Sequence, residues 1–225
     1  MQRQQADLEW HDTGVPVSKQ FDDPYFSLEN GLEETRHVFL TGNGLHARFR
    51  DGFHIAELGF GTGLNLLAAW QAWKESNASG KLHFTSFELF PMNPDEMAQS
   101  LALFPVDPIL AQQLIDAMRK DAHQTTFDDL VFNLVIGDAR QTVRTWEHTA
   151  DAWFLDGFSP AKNPELWETG LLQDVFDHTN PSGSAATYTA AGAVRRGLSD
   201  VGFEVERIKG FGRKRHMTVA RKANK

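Results

Sequence analysis

What narrows the possible folds furthest is rhythm: from Phe53 onward, short apolar runs alternate with longer stretches of helical periodicity. That order predicts βαβ units and a mostly parallel sheet. The predicted strands are residues 54–58, residues 82–87 closing at Glu88, residues 132–136 followed by Gly137-Asp138-Ala139, residues 152–155 ending at Asp156, and residues 184–188. Between them the 3.6-residue period predicts helices over 65–73, from Pro94 with Asn93 as N-cap, after Pro108, over 164–178, and over 191–201 with a stop at Gly202. Residues 203–208 and 217–220 can then pair as a hairpin, so the expected fold is α/β, mostly parallel, with a C-terminal antiparallel hairpin.

A chain of 225 residues with 41% hydrophobic composition supports one principal domain with a full core. Residues 53–225 are expected to form it, and residues 1–52 a mixed N-terminal extension. The absence of cysteine excludes disulfides, thiolate metal sites and a catalytic thiol, and fits a reducing compartment, the cytoplasm by default. The start, residues 1–9, carries no apolar run of signal-peptide type, and no uncharged stretch later reaches membrane-spanning length. With a net charge of -8, any nucleic-acid contact must be local. Its candidate is the cluster Arg195, Arg196, Lys209, Arg213, Lys214, Arg215, Arg221, Lys222 and Lys225, whose plain reading is a solvated basic tail.

The strongest local signal is Glu57-Leu-Gly59-Phe-Gly61-Thr62-Gly63-Leu-Asn65, where a buried strand meets a helix and glycines allow close backbone approach to a ligand. A dinucleotide fingerprint would need its last glycine at Leu64, so the spacing argues against a pyrophosphate cofactor. It resembles the first motif of S-adenosylmethionine-dependent methyltransferases, in which an acidic residue opens the loop. The order of elements likewise resembles their class I, Rossmann-like fold. Ligands of open α/β sheets bind outside the carboxyl ends of the strands, and those ends carry carboxylates. Glu88 is placed for both ribose hydroxyls of a nucleoside, Asp138 with Ala139 for an adenine amino group, and Asp156 for the transferred methyl. Each taken alone also reads as an exposed acid or helix cap. Phe158, Tyr25 and Phe26 can wall the pocket against a cationic sulfonium, or simply pack. The extension of residues 1–52 is expected to pack on this cofactor site.

The most distinctive stretch runs Trp153-Phe-Leu-Asp156-Gly-Phe-Ser-Pro160-Ala-Lys162-Asn163-Pro164-Glu-Leu-Trp167. Together with Phe21-Asp-Asp-Pro-Tyr25-Phe-Ser27, Gly31-Leu-Glu-Glu-Thr35 and Gly210-Phe-Gly-Arg-Lys-Arg215, it resembles the methyltransferase half of the bifunctional tRNA 5-methylaminomethyl-2-thiouridine biosynthesis proteins. The resemblance covers about residues 17–221. It implies methyl transfer from S-adenosylmethionine to the primary amine of 5-aminomethyl-2-thiouridine at the wobble position, with the tRNA anticodon loop as partner. In the bifunctional proteins a flavin-dependent oxidase domain follows and exposes that amine. Nothing of it is present in this sequence, which leaves a separate or lost oxidase, or a domain cut from a longer chain.

For the reaction the site has to align donor and acceptor and handle one proton. Asp156 is the expected catalytic residue, by hydrogen-bonded positioning first and by general-base action second. An unstacked uridine calls for an aromatic partner, expected in Trp167 or Phe211, with Lys162, Asn163, Arg213 and Arg215 as further substrate contacts. The nine histidines show no H-x-x-x-H spacing, so no metal is expected, and neither a G-x-S-x-G elbow nor a P-loop occurs. The competing readings are a class I N-methyltransferase for a small-molecule or protein amine, a nicotinamide oxidoreductase, which the Gly63/Leu64 spacing disfavours, and a non-catalytic RNA-binding module.

Overall fold

In the computed structural model, which describes residues 5–27 and 30–224, the five apolar runs become neighbouring strands of one eight-stranded sheet. Residues 1–4 of the expected N-terminal extension and Lys225 of the basic cluster lie outside the described residues. Three short strands come first, β1 (Leu8–Trp10), β2 (Pro16–Ser18) and β3 (Asp23–Pro24), paired as a small antiparallel sheet. Helix α1 (Gly31–Thr35) then runs into a π-helical segment, Arg36–Thr41.

The large sheet is built from β4 (His54–Leu58), β5 (Leu82–Glu88), β6 (Gln124–Thr126), β7 (Leu130–Ile136), β8 (Ala150–Leu155), β9 (Thr179–Thr187), β10 (Glu204–Lys209) and β11 (His216–Arg221). Its connections carry α2 (Leu64–Glu75), α3 (Pro94–Leu101), α4 (Pro108–Arg119), α5 (Ala139–Thr142), α6 (Thr169–Asp177) and α7 (Gly192–Asp200). The strand order is β10-β11-β9-β8-β4-β5-β7-β6, and β7, β5, β4, β8 and β9 run parallel. The chain leaves β4 toward β5 and later returns to β8 on its other side. A topological switch point therefore opens between the carboxyl ends of β4 and β8.

Alternation along the strands loads both faces of the sheet, as a parallel sheet covered by helices requires. Ile55, Phe84, Phe132 and Phe154 pack with α2, α3 and α4, whereas Ala56, Leu58, Trp153 and Leu155 pack with α5, α6 and α7. Asn93 caps α3 as expected: its side chain accepts from Asp95 N, Glu96 reaches back to Asn93 N, and Pro94 occupies the first helical position.

Several details depart from the sequence expectation. The C-terminal hairpin forms as expected from β10 and β11, but it is the later strand, β11, that joins the sheet, lying between β9 and β10 and antiparallel to both. An additional strand, β6, joins β7 antiparallel; its Gln124-Thr-Thr126 sequence is too short and polar to signal one. The helix expected over 164–178 is broken at Glu168, whose extended ψ of 141° separates a 3₁₀ turn, Pro164–Trp167, from α6.

Phe154 ties the N-terminal segment to this framework, stacking on Phe39 at 5.1 Å and meeting Phe84 edge-on at 5.9 Å with no exposed surface. Phe154→Ala should lower the unfolding free energy by about 3–5 kcal/mol in a denaturant titration, the cost of emptying a close-packed aromatic site.

Candidate active site

Every parallel strand that ends at the switch point delivers a loop to one cavity of ≈ 730 Å³, a size suited to a nucleoside-class ligand. The expected residues Gly59, Gly61, Thr62, Asn65, Glu88, Asp138, Ala139, Asp156, Phe158, Tyr25, Phe26 and Asn163 all line it. Glu57 and Gly63 lie just behind the wall: Glu57 is fully buried, and Gly63 caps α2 with φ 81°.

The first loop is shaped by close approach. A Cβ on Gly59, whose φ is +82°, would stand 3.1 Å from Gly157 Cα, so the loops after β4 and β8 touch through two glycines. Gly61 has φ +54° and donates its N–H to Glu88 Oε2 at 3.2 Å. Phe90 N donates to Glu88 Oε1 at 2.8 Å, so this carboxylate joins the ends of two strand loops while keeping lone pairs for a ligand. Burial raises its pKa, and the backbone N–H groups oppose that rise.

Beneath the loop, one amide holds two carboxylates. Asn65 Nδ2 donates to Glu57 Oε1 at 2.8 Å and to Asp156 Oδ2 at 2.7 Å. Thr35 Oγ1 donates to Asn65 Oδ1 at 2.8 Å, and Ser86 Oγ to Glu57 Oε2 at 2.7 Å. Burial pushes the Glu57 carboxyl well above its ordinary range. Asp156 opens onto the cavity from deep in the molecule, and burial pushes it up to about 6 against the pull of Asn65, Gly157 N–H and Lys214.

Asp138 behaves differently. Its carboxylate accepts from Arg140 N at 3.0 Å and from the Arg140 guanidinium at 2.7 Å, which holds its pKa low. The acid expected to meet an adenine amino group is thus engaged as a helix cap and ion pair at the cavity edge.

The cover of the cavity comes from the N-terminal segment. Asp23 Oδ2 accepts Ser159 N at 2.8 Å, Phe21 stacks on Phe158 at 4.8 Å, and Tyr25 meets Phe158 edge-on at 5.1 Å. Burial raises the Tyr25 phenol above its usual range. Apart from Asn163, the residues expected to contact substrate sit elsewhere. Lys162 pairs with Asp22, Trp167 Nε1 donates to Phe158 O at 3.2 Å, Phe211 packs by His37 at 5.8 Å, and Arg213 and Arg215 face solvent. None of these five lines the cavity, whose aromatic surface is instead supplied by Phe21, Tyr25, Phe26, Phe158 and Tyr188 among others. Glu34 and Tyr188 also line it and were not singled out from the sequence, and Lys214, expected only as a member of the basic cluster, lines it too; Glu34 and Lys214 lie inside two of the distinctive blocks. Among the described residues, no group of three or more His, Asp or Glu is placed to hold a metal ion, and no helix is long and apolar enough to cross a membrane.

A profile of S-adenosyl-L-methionine-dependent methyltransferases matches residues 107–223. The chain belongs to that family. The methyltransferase is 46% identical over 222 residues to the tRNA 5-methylaminomethyl-2-thiouridine biosynthesis bifunctional protein MnmC of Marinomonas sp., a match covering 94% of this chain and 33% of the relative. The protein of the same name from Chromobacterium violaceum is 44% identical, with 97% of this chain and 34% of the relative covered. The methyltransferase thus spans about a third of the length of the curated relatives it matches. Among solved structures, MNMC2 from Aquifex aeolicus superimposes with a TM-score of 0.78 at 27% identity, covering 97% of this chain and 71% of that one.

Two outcomes test this geometry. Gly61→Val puts a β-branched side chain at positive φ, and calorimetric titration should show S-adenosylmethionine binding weakened about tenfold or more. Asn65→Leu leaves two buried carboxylates without their shared donor and should cost about 2 kcal/mol of stability at pH 8. Its loss lets both carboxyl pKa values climb further. Stability then falls as pH rises through them, so the deficit measured by denaturation at pH 5 should be distinctly smaller.

Proposed function

We propose that this methyltransferase acts on the primary amine of 5-aminomethyl-2-thiouridine at the wobble position of tRNA, giving the 5-methylaminomethyl form. Two facts support the reading jointly: relatives named for 5-methylaminomethyl-2-thiouridine biosynthesis share 46% and 44% identity across nearly the whole chain, and the cavity presents the Asp156 carboxylate at the switch point. The observation that carries it is Asp156, placed at the end of β8 and restrained through Oδ2 by Asn65.

S-adenosylmethionine, when bound, supplies an electrophilic methyl group on a sulfonium. The chain fits such a ligand on three counts: a glycine cradle at Gly59 with no space for a side chain, a Glu88 carboxylate with lone pairs left for ribose hydroxyls, and aromatic faces that favour a cation. Glu88, the backbone of residues 59–63 and the edge at Asp138 and Ala139 would hold it. With its carboxyl at about 6, Asp156 is ionised at neutral pH and accepts an amine N–H as a hydrogen bond. Once the acceptor's ammonium has given one proton to water at the cavity mouth, that contact would keep the nitrogen lone pair directed at the methyl carbon, whose bond to sulfur breaks as the bond to nitrogen forms, with the thioether as leaving group.

In this reading the N-terminal residues up to 52 cover the cofactor site, through the Asp23 bond to the β8 loop and the stack of Phe21 on Phe158. The anticodon loop docks at the open side, near the basic residues of the last third of the chain. A flavin-dependent oxidase acting beforehand is the partner needed to expose the amine, and the reaction belongs to the cytoplasm.

Nucleoside analysis of undermodified tRNA incubated with the protein and isotopically labelled S-adenosylmethionine should show label in 5-methylaminomethyl-2-thiouridine. Label confined to small-molecule or protein amines would overturn the proposal. The ionised form of Asp156 is the active one, so kcat/KM should fall about tenfold per pH unit below an apparent pKa of about 6. Asp156→Ala should keep cofactor binding measurable while methyl transfer collapses; undiminished turnover would remove Asp156 from the mechanism.

A further inference from the structure

One ammonium group in the cavity acts on Asp156 through its charge alone and makes its own contacts elsewhere in the wall. Lys214 Nζ donates to Glu34 Oε1 at 2.7 Å and lies 4.4 Å from the centre of the Tyr188 ring. All three residues line the same cavity as Asp156, and the Tyr188 hydroxyl donates at 3.0 Å to the carbonyl of Gly157, next to Asp156 in the chain. The Glu34 side chain is 17% exposed and that of Lys214 is 49% exposed. The carboxylate therefore belongs to the wall, whereas the lysine reaches in from the turn between β10 and β11 on a flexible stem.

A carboxylate accepting a short charge-assisted hydrogen bond and an aromatic face above it are the two elements that recognise a primary alkylammonium. The structure shows that recognition fulfilled by the chain's own lysine. The acceptor assigned above presents the same group, a primary amine on a methylene, which is cationic at neutral pH when free. We propose that Glu34 and Tyr188 form the receiving site for the substrate's alkylammonium, and that Lys214 fills this site in the free enzyme and withdraws when the acceptor enters. The inference rests on the acceptor being a primary amine.

Exchange of one ammonium for another leaves the Glu34 carboxylate paired throughout, so no uncompensated charge arises inside the cavity mouth. A half-exposed ion pair is weak enough to be given up readily to a competing ligand. Glu34 and Asp156 are also near enough for the charge of one to act on the other, so an amine received at Glu34 is already in the field of Asp156.

Calorimetric titration of the full chain, saturated with S-adenosylhomocysteine, with 5-aminomethyluridine and its neutral counterpart 5-hydroxymethyluridine tests the assignment. Wild type should prefer the amine. Glu34→Gln should weaken the amine about tenfold and leave the alcohol unchanged, the loss expected for one charge-assisted bond. Lys214→Met should tighten the amine several-fold, again without effect on the alcohol. A Lys214→Met protein that loses amine affinity as Glu34→Gln does would make the lysine a support rather than an occupant and overturn the proposal. An unchanged preference in Glu34→Gln, or a wild type that binds neither nucleoside, overturns it too. Failure of wild type to methylate tRNA is a separate result, which removes the proposed function while the amine preference still reports on the Glu34 site.

Discussion

The Asn65 side chain has one acceptor and two donors, and all are committed: the oxygen to Thr35, the N–H groups to Glu57 and Asp156. Three separate segments converge on that amide, since Thr35 closes α1, Glu57 lies within β4 and Asp156 follows β8. A second carboxylate or an aliphatic residue at position 65 cannot serve two buried acids at once. The aspartate facing the cavity is thereby fixed in place and kept acidic enough to be charged at neutral pH despite its burial.

Around this centre the cavity has a rigid floor and a cover of different origin. The floor consists of strand ends, each anchored by a ladder of parallel pairing. The cover consists of short segments from residues before 53, attached by the Asp23 bond to Ser159 N and by the aromatic contacts of Phe21 and Tyr25 with Phe158. Such attachments are fewer and closer to solvent than those of the sheet, which suits a part that opens to admit a ligand.

The residues that speak through pattern were legible in the sequence, and those that act through long-range approach were not. β4 and the cap of α3 follow from local rules, and so did the convergence of Glu57, Glu88, Asp138 and Asp156 along one rim, because strand ends in a parallel sheet share an edge. The insertion of β11 between β9 and β10 carries no local signal, as any antiparallel pair with a short turn reads as a plain hairpin. Choosing Arg213 and Arg215 over Lys214 shows the same limit. In a tight turn one basic side chain faces inward and its neighbours face solvent, and only the path of the backbone decides which. Likewise Trp167 and Phe211 are as aromatic as Phe21 and Tyr188, but spatial position alone puts the latter pair in the wall.

The seat of β11 has a consequence for the order in which the molecule can be completed. β10 touches the sheet only through β11, which follows it in the chain, so residues 204–209 have no partner strand until residues 216–221 have been made and inserted. During synthesis the five parallel strands can assemble while the residues after β9 are still emerging. The turn carrying Lys214 takes its position only with that final insertion. A nascent chain would accordingly own a cofactor cleft before it owns the finished cavity wall to which Lys214 belongs.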